Sequence, residues 1–384
     1  MPVGHRVALV SSSYAPHVGG VETHVREVAR ELSAAGLAIE VWTVSRDGAD
    51  RTAEIDGVTV RYLPAPLPRR SVAGLLSMMW HAPGAARSWW RAYRSFRPDM
   101  LHVQCFGPNG QYAYAMHRLL RIPLIVSSHG ETFTDDHCVF DNSVLARRGL
   151  RAAIGGAVVT ACSPLVAEEL VNRFGARQVT VVPNGVTAQG ALVRGRRPGA
   201  PIVAVGRLEW VKGFDILLRA YSMVSGTPGG LVIAGDGQER EALRGLARRL
   251  GIEDLVSFPG LLDAGDVATL LAGAYAAVVP SRKEAFGIIV LEAWAAGTPV
   301  IATLGTGPAA FVRDGIDGLL VPAQDEAALA AALERLVADP GFAGGLGAAG
   351  AARVGEFTWA ATAREYLRLY DGLADRSGES VNPS

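Results

Sequence analysis

Two carboxylates eight positions apart, Glu284 and Glu292, stand in Pro280-Ser-Arg-Lys-Glu-Ala-Phe-Gly-Ile-Ile-Val-Leu-Glu-Ala-Trp, one in a loop and one in an apolar helix. Carboxylates are natural acceptors for vicinal hydroxyls, so the pair suits a sugar and a ribose. A Glu inside the apolar run Ile288–Ala296 is costly if buried unpaired, and a polar ligand or partner is expected for it. Gly287 and Ile288 start that helix, whose free N–H groups can hold phosphate. Arg207 and Lys212, five positions apart and flanked by Gly206 and Gly213, straddle a strand-to-helix turn. Both can point at one diphosphate and neutralise charge as it leaves; a solvated turn is the competing reading.

Two weaker signals lie in the first half. Gly19-Gly20 precedes a helix with Val21, Val25, Val28 and Leu32 on one face. Such glycines let backbone N–H groups approach an anion. The pattern is not G-x-G-x-x-G, and a plain tight turn fits it equally. His129 follows an apolar run in Ser128-His129-Gly130. A histidine at a strand end serves either a site or the structure.

The elements that must position these residues come in two series. Val7–Val10, Glu40–Val44, Val58–Leu63, Met100–Val103, Leu124–Ser127 and Val158–Ala161 read as strands with amphipathic stretches between several of them. Ile202–Val205, Leu231–Ala234, Val256–Phe258, Ala277–Pro280 and Pro299–Ala302 repeat the pattern. Alternating strands and helices imply parallel sheets. The fold class is therefore α/β, with two doubly wound, Rossmann-like domains facing a cleft into which strand-end loops project. The expected division is 1–187, a Gly-, Arg- and Pro-rich linker at 188–200, and 201–358, with a last helix at 359–374 and a frayed tail at 375–384.

Composition agrees with a small-molecule enzyme. Among 384 residues, 37 basic side chains balance 37 acidic ones and 49% are apolar. This excludes a disordered chain and a generally basic nucleic-acid binder. Only two of the basic residues are lysines, Lys212 and Lys283. Cys105, Cys138 and Cys162 form no C-x-x-C pair, which fits neither a disulfide framework nor a zinc knuckle and suggests a reducing cytoplasm. No stretch approaches the ~20 apolar residues of a membrane span. The segment 69–97, with Leu75, Leu76, Met78, Met79, Trp80, Trp89 and Trp90 among Arg87, Arg91 and Arg94, reads either as core or as a basic amphipathic helix meeting an anionic inner membrane surface.

Together the motifs resemble the retaining glycosyltransferases of the GT-B fold, glycosyltransferase family four. The resemblance spans nearly the whole chain. It rests on Gly19-Gly20-Val21-Glu22, His129-Gly130, Pro183-Asn184-Gly185-Val186, Val205-Gly206-Arg207-Leu208 with Lys212-Gly213, Ala234-Gly235-Asp236-Gly237, Glu284 to Glu292 with Gly297-Thr298-Pro299, and Asp317-Gly318 to Pro322. It implies a nucleotide-sugar donor held by the C-terminal domain, an acceptor held by the N-terminal domain, and a last helix crossing back to the first domain. Arg207 and Lys212 match the family's diphosphate clamp, Glu292 its ribose ligand and Glu284 the carboxylate facing the donor sugar. Gly287 and Ile288 match its phosphate-binding amides, with Phe286 in the same donor loop. His129 matches the histidine near the reacting sugar, and Gly20 the glycine closing over the phosphates. One stretch departs. Where relatives commonly carry Gly-Gly followed by Glu, this chain has Gly305-Thr306-Gly307-Pro308-Ala309-Ala310, which puts a support of the donor loop in question.

The expected activity is transfer of a hexose-type sugar from a UDP- or GDP-sugar to a hydroxyl of a glycan, lipid-linked or small-molecule acceptor, with retention. No D-x-D triplet presents a divalent metal, so no metal or other cofactor is expected to be required. The alternatives are a nucleotide-sugar epimerase of the same architecture and a non-catalytic sugar-nucleotide binding protein.

Overall fold

The computed structural model describes residues 4–17, 19–67, 72–134, 139–187, 199–224 and 229–379, the side chains of 72–77 and 375–379 excepted. Two compact units emerge, one of Met1–Pro183 with Trp359–Ser384 and one of Asn184–Thr358. Residues 188–198 of the expected linker, Cys138, residues 69–71 of the expected amphipathic helix and 380–384 of the expected tail lie outside the described residues.

The first unit is built on β1 (Arg6–Ser11), β2 (Ala38–Val44), β3 (Arg51–Ile55), β4 (Val58–Leu63), β5 (Met100–Gln104), β6 (Leu124–Ser128), β7 (Val158–Ala161) and β8 (Thr180–Val181). Their order is β3-β4-β2-β1-β5-β6-β7-β8. Neighbours are parallel except β3 with β4. β1, β5 and β6 are buried almost end to end, because helices cover both faces of such a sheet and only near-continuous apolar runs can sit there. β3, Arg-Thr-Ala-Glu-Ile, is the exception to the expected all-parallel pattern. It is largely exposed, an edge hairpin strand with no apolar face to betray it.

The last helix, Trp359–Glu379, buries Trp359, Ala363, Tyr366 and Tyr370, the stripe its helical period requires, and packs against the helix Gly20–Ala34. The helix Val72–Phe96 buries Ala85, Trp89, Ala92 and Phe96 but leaves Met79, Trp80 and Trp90 exposed, Trp80 at 84%. One face of that helix is thus core and the other is exposed.

In the second unit, β9 (Ile202–Val205), β10 (Leu231–Ala234), β11 (Val256–Gly260), β12 (Ala276–Val279), β13 (Val300–Thr303) and β14 (Leu319–Val321) form a parallel sheet ordered β11-β10-β9-β12-β13-β14. Ile202, Leu217, Ile233, Val278 and Leu333 are among its buried core residues, each contributing about 1.5–3 kcal/mol by leaving water. Sequence order reverses between β1 and β5 in one sheet and between β9 and β12 in the other, the switch points where doubly wound sheets bind ligands. In the second unit the loops at that point touch. Gly213 has φ +68°, and a Cβ there would come 2.1 Å from the Pro280 carbonyl oxygen, so the contact needs glycine twice over.

Candidate active site

The loop after β9 turns through Trp210–Lys212 into the helix Phe214–Met223. Lys212 lies back across Gly206, where an added Cβ would sit 3.9 Å from its Cδ. Its Nζ donates to Glu284 Oε2 at 2.6 Å, and both side chains are largely buried. Ser281 Oγ reaches the same oxygen at 3.4 Å. Glu284 belongs to the loop after β12. The two loops are laced by the Arg282 and Lys283 N–H groups, which donate to the Val211 carbonyl at 2.8 and 3.2 Å. Arg282, 10% exposed, grips both oxygens of Asp215 at 2.7 and 2.8 Å and lies 4.6 Å from the centre of the Trp210 ring. Burial pushes the Asp215 carboxyl up, yet the Arg282 hydrogen bond and charge outweigh it, holding it below its ordinary value.

Arg207 stands apart from this pair. Its side chain is 60% exposed, and Nη1 donates to Glu209 Oε1 at 2.6 Å. Thus both candidate clamp cations carry a carboxylate of their own chain. Lys283, the other lysine, is exposed.

Gly287, with φ +89°, precedes the helix Ile288–Ala295, and no side chain caps it. The first N–H groups of an uncapped helix seek an anion. Glu284 lies against this start, its Cγ 3.6 Å from where a Gly287 Cβ would be. The ring of Phe286 is buried, stacked 5.0 Å from Phe311, so that residue packs the site from beneath. Glu292 rides on the same helix. Burial pushes its carboxyl up to about 7, and no hydrogen bond or ion pair from the described residues reaches it.

The segment after β13, which departs from the Gly-Gly-Glu of relatives, braces the loop carrying Glu284. Gly307 N–H donates to the Glu284 carbonyl at 2.8 Å, and a Cβ at Gly307 would lie 2.3 Å from the Ala285 oxygen. Thr306 Oγ1 donates to the Thr303 carbonyl at 2.6 Å, and Thr303 Oγ1 to the Ser281 carbonyl at 2.7 Å.

In the first unit, His129 follows β6 and its Nε2 lies 2.7 Å from Gln104 Oε1. Its ring meets that of His24 edge-on at 4.4 Å. Burial lowers it to about 4, so it is neutral at pH 7. Glu131 clamps the loop by accepting from Phe106 N–H, Ser128 Oγ and His129 N–H at 2.9, 2.9 and 2.8 Å. Burial nonetheless raises its carboxyl above the ordinary value. Gly20 opens its helix exposed, and the Glu22 carboxylate folds over Gly19, 2.6 Å from where a Cβ would be.

Lys212, Glu284, Gly287 and the Ile288 helix start are therefore brought together, Arg207 is turned to Glu209, and Glu292 is near in sequence, with no hydrogen bond or ion pair to that group among the described residues. Sequence reasoning missed Glu209, Ser281 and the Arg282–Asp215 pair. It also missed Gln104, whose signal was present: a polar residue two positions after His102 on a strand otherwise apolar.

Comparison with known proteins identifies the family. A model described as Glycosyltransferase Family 4 matches residues 18–189, and one described as Glycosyl transferases group 1 matches 198–353. The chain is 32% identical to a D-inositol 3-phosphate glycosyltransferase of Frankia alni, over 92% of this chain and 94% of that protein. It is 31% identical to a glycogen synthase of Mycobacterium tuberculosis, over 97% and 96%. Among solved structures, a sucrose-phosphate synthase from Thermosynechococcus elongatus superimposes with TM-score 0.82 at 25% identity, over 96% and 99%. Anabaena HepE in complex with UDP and glucose gives 0.71 at 18%, over 96% and 99%.

Proposed function

Because this chain belongs to the family-four glycosyltransferases of the GT-B fold, we propose that it moves a hexose from a UDP- or GDP-sugar to an acceptor hydroxyl with retention of configuration, the second unit holding the donor and the first the acceptor. The observation carrying this reading is the Lys212–Glu284 pair beside the uncapped helix at Gly287. The donor diphosphate replaces the carboxylate on Lys212, with Arg207 leaving Glu209 for the same anion. Glu284, so released, accepts from hydroxyls of the donor sugar, and Glu292 accepts from the ribose. As the bond from C1 to the phosphate oxygen breaks, negative charge grows on that oxygen. The cations and helix amides stabilise it more than the ground state, which is what lowers the barrier. The acceptor attacks from the same face, and the departing phosphate takes its proton. HepE's complex with UDP and glucose supports the class of donor. The two relatives named above, nearly equal in identity, are named for different products, a glycosylated inositol phosphate and glycogen. The names of these relatives therefore do not select an acceptor for this chain.

The test is a donor and acceptor panel read by mass spectrometry with EDTA present throughout, because Arg207 and Lys212 carry the charge a metal would carry elsewhere. Product with the donor's anomeric configuration is expected. Epimerised or untouched donor overturns the assignment, and activity lost to EDTA and restored by Mg²⁺ or Mn²⁺ overturns the charge balance.

Glu292 adds a pH signature. Its raised carboxyl favours the ligand-free fold most below pH 4.5, and that contribution is lost as pH rises through about 7. Ribose hydroxyls bind the ionised form, so nucleotide-sugar affinity should strengthen roughly tenfold from pH 6 to pH 8. Calorimetric titration checks this, with Glu292→Gln expected to flatten the dependence. Equal slopes in both proteins would remove Glu292 from the ribose.

On the helix Val72–Phe96, exposed Met79, Trp80 and Trp90 alternate with exposed Arg87, Arg91 and Arg94, which supports peripheral contact with an anionic membrane. Sedimentation with phosphatidylglycerol vesicles should exceed that with phosphatidylcholine and fall on Trp80→Ser. Equal partitioning would end this reading.

A further inference from the structure

Beneath His129 the first unit buries a connected set of polar side chains that the transfer reaction does not use directly. His102 and Gln104 are fully buried and share one face of β5, since strand side chains alternate with period two. His102 Nδ1 lies 2.7 Å from Tyr370 Oη on the last helix, and its Nε2 lies 2.6 Å from Ser127 Oγ on β6. Gln104 Nε2 lies 3.1 Å from His102 Nε2, and Gln104 Oε1 lies 2.7 Å from His129 Nε2. Every polar group in a buried network must find a complementary partner, and each mismatch is costly there.

That requirement assigns the protons. An amide NH2 only donates, so His102 Nε2 is a lone pair, and the His102 proton sits on Nδ1 and is given to Tyr370. The amide oxygen only accepts, so His129 carries its proton on Nε2. Nδ1 of His129 is left as a lone pair, and no described group reaches it. Its neighbours are His24 edge-on at 4.4 Å, His102 beyond the amide and Glu131 on its own loop.

We infer that Gln104 is a positioning residue that fixes His129 as the Nε2–H tautomer, with Nδ1 presented as the acceptor for a hydroxyl of the reacting sugars. The inference rests on the participation of His129 in transfer. Its physical content is that an isolated neutral imidazole distributes its proton over both nitrogens, whereas one tied to an amide oxygen cannot. The amide is itself oriented by His102 and by Tyr370, which arrives from the opposite end of the chain. Outer partners of this kind typically govern about ten- to a hundredfold in activity where they have been removed from metal-bound imidazoles, a related case of tautomer control.

The test combines kinetics with histidine nitrogen NMR on the full chain. In the ¹⁵N-histidine-labelled protein, the resonance pair lost in His129→Ala should show a protonated Nε2 and an unprotonated Nδ1. Gln104→Leu should lower kcat by roughly ten- to a hundredfold, leave donor KM within about twofold, and mix the two tautomers of His129. Gln104→Glu keeps an acceptor opposite Nε2–H and should recover most of the loss, with His102 turning its own proton to face the carboxylate. It also serves as the second variant should the leucine protein fail to fold. A wild-type His129 protonated on Nδ1, or a folded Gln104→Leu protein with unchanged kcat and one tautomer, overturns the inference. Failure of the underlying reading looks different: His129→Ala would then turn over normally, and Gln104→Leu would mix the tautomers without any effect on rate.

Discussion

Lys212→Ala should lower kcat for sugar transfer by roughly two to three orders of magnitude, a loss of about 2.7–4 kcal/mol of transition-state stabilisation. Two effects act together. The cation that meets the growing charge on the leaving diphosphate is gone, and Glu284, 13% exposed and 2.6 Å from Nζ, is left buried with, among the described residues, only the Ser281 hydroxyl within hydrogen-bond reach of its carboxylate. A buried carboxylate stripped of its cation is costly to hold in place, so the geometry in which it would accept from sugar hydroxyls is lost. Arg207→Ala should give a similar fall in kcat by the first effect alone. Its side chain is 60% exposed, so its pairing with Glu209 contributes little to stability, and its Tm should match that of the wild type. Lys212→Arg is not a safe substitute, because a planar fork does not occupy the space of a compact ammonium between Gly206 and Glu284. Single-turnover kinetics with saturating donor, beside a thermal melt of each variant, separates these cases. Near-wild-type kcat in both alanine variants would sink the clamp.

Which parts of this were legible in the sequence follows from where each residue draws its partners. β1, β5 and β6 are buried on both faces, so their composition alone betrays them; β3 buries almost nothing, and β14, though buried, is only three residues long and too short to leave a pattern. Lys212 and Glu284 were legible because each lies in a motif whose glycines are demanded locally, as Gly213 is by the Pro280 carbonyl. That they touch was not, because 72 residues separate them. Tyr370 was the least legible: its role arises from a hydrogen bond to His102 across 268 residues, and no spacing rule reaches that far, whereas Gln104 at least stands out as a polar residue on an apolar strand. Phe286 shows the converse. Sequence position places it in the donor loop, while its apolar ring finds a better home against Phe311 than against a polar ligand.

Asp317 belongs to a motif that reads as functional and behaves as structure. It is fully buried, and its carboxylate accepts from Arg313 N–H at 2.7 Å, Arg313 Nε at 2.6 Å and Arg353 Nη1 at 2.8 Å. Its carbonyl takes the Trp294 Nε1 proton at 2.9 Å, and Arg353 lies 5.3 Å from the centre of that indole ring. Arg353 also bonds the Phe311 carbonyl at 2.8 Å. Through Arg353 the carboxylate thus braces the indole of the helix carrying Glu292 and the turn at Phe311, while the Asp317 main-chain carbonyl holds the same indole directly. Removing one partner of a buried ion pair leaves an uncompensated charge, a loss of about 3–5 kcal/mol. Asp317→Ala should therefore destabilise the second unit by that amount, read as a lower urea midpoint with the denaturant slope unchanged. Arg353 is the charge it strands, at 17% exposure, so Asp317→Ala with Arg353→Leu should recover part of the loss, a coupling that only contact between the two can produce. An Asp317→Ala protein as stable as the wild type, or a double variant whose losses merely add, would mean that the cluster is solvated in solution and that the helix carrying Glu292 is held by its apolar face alone.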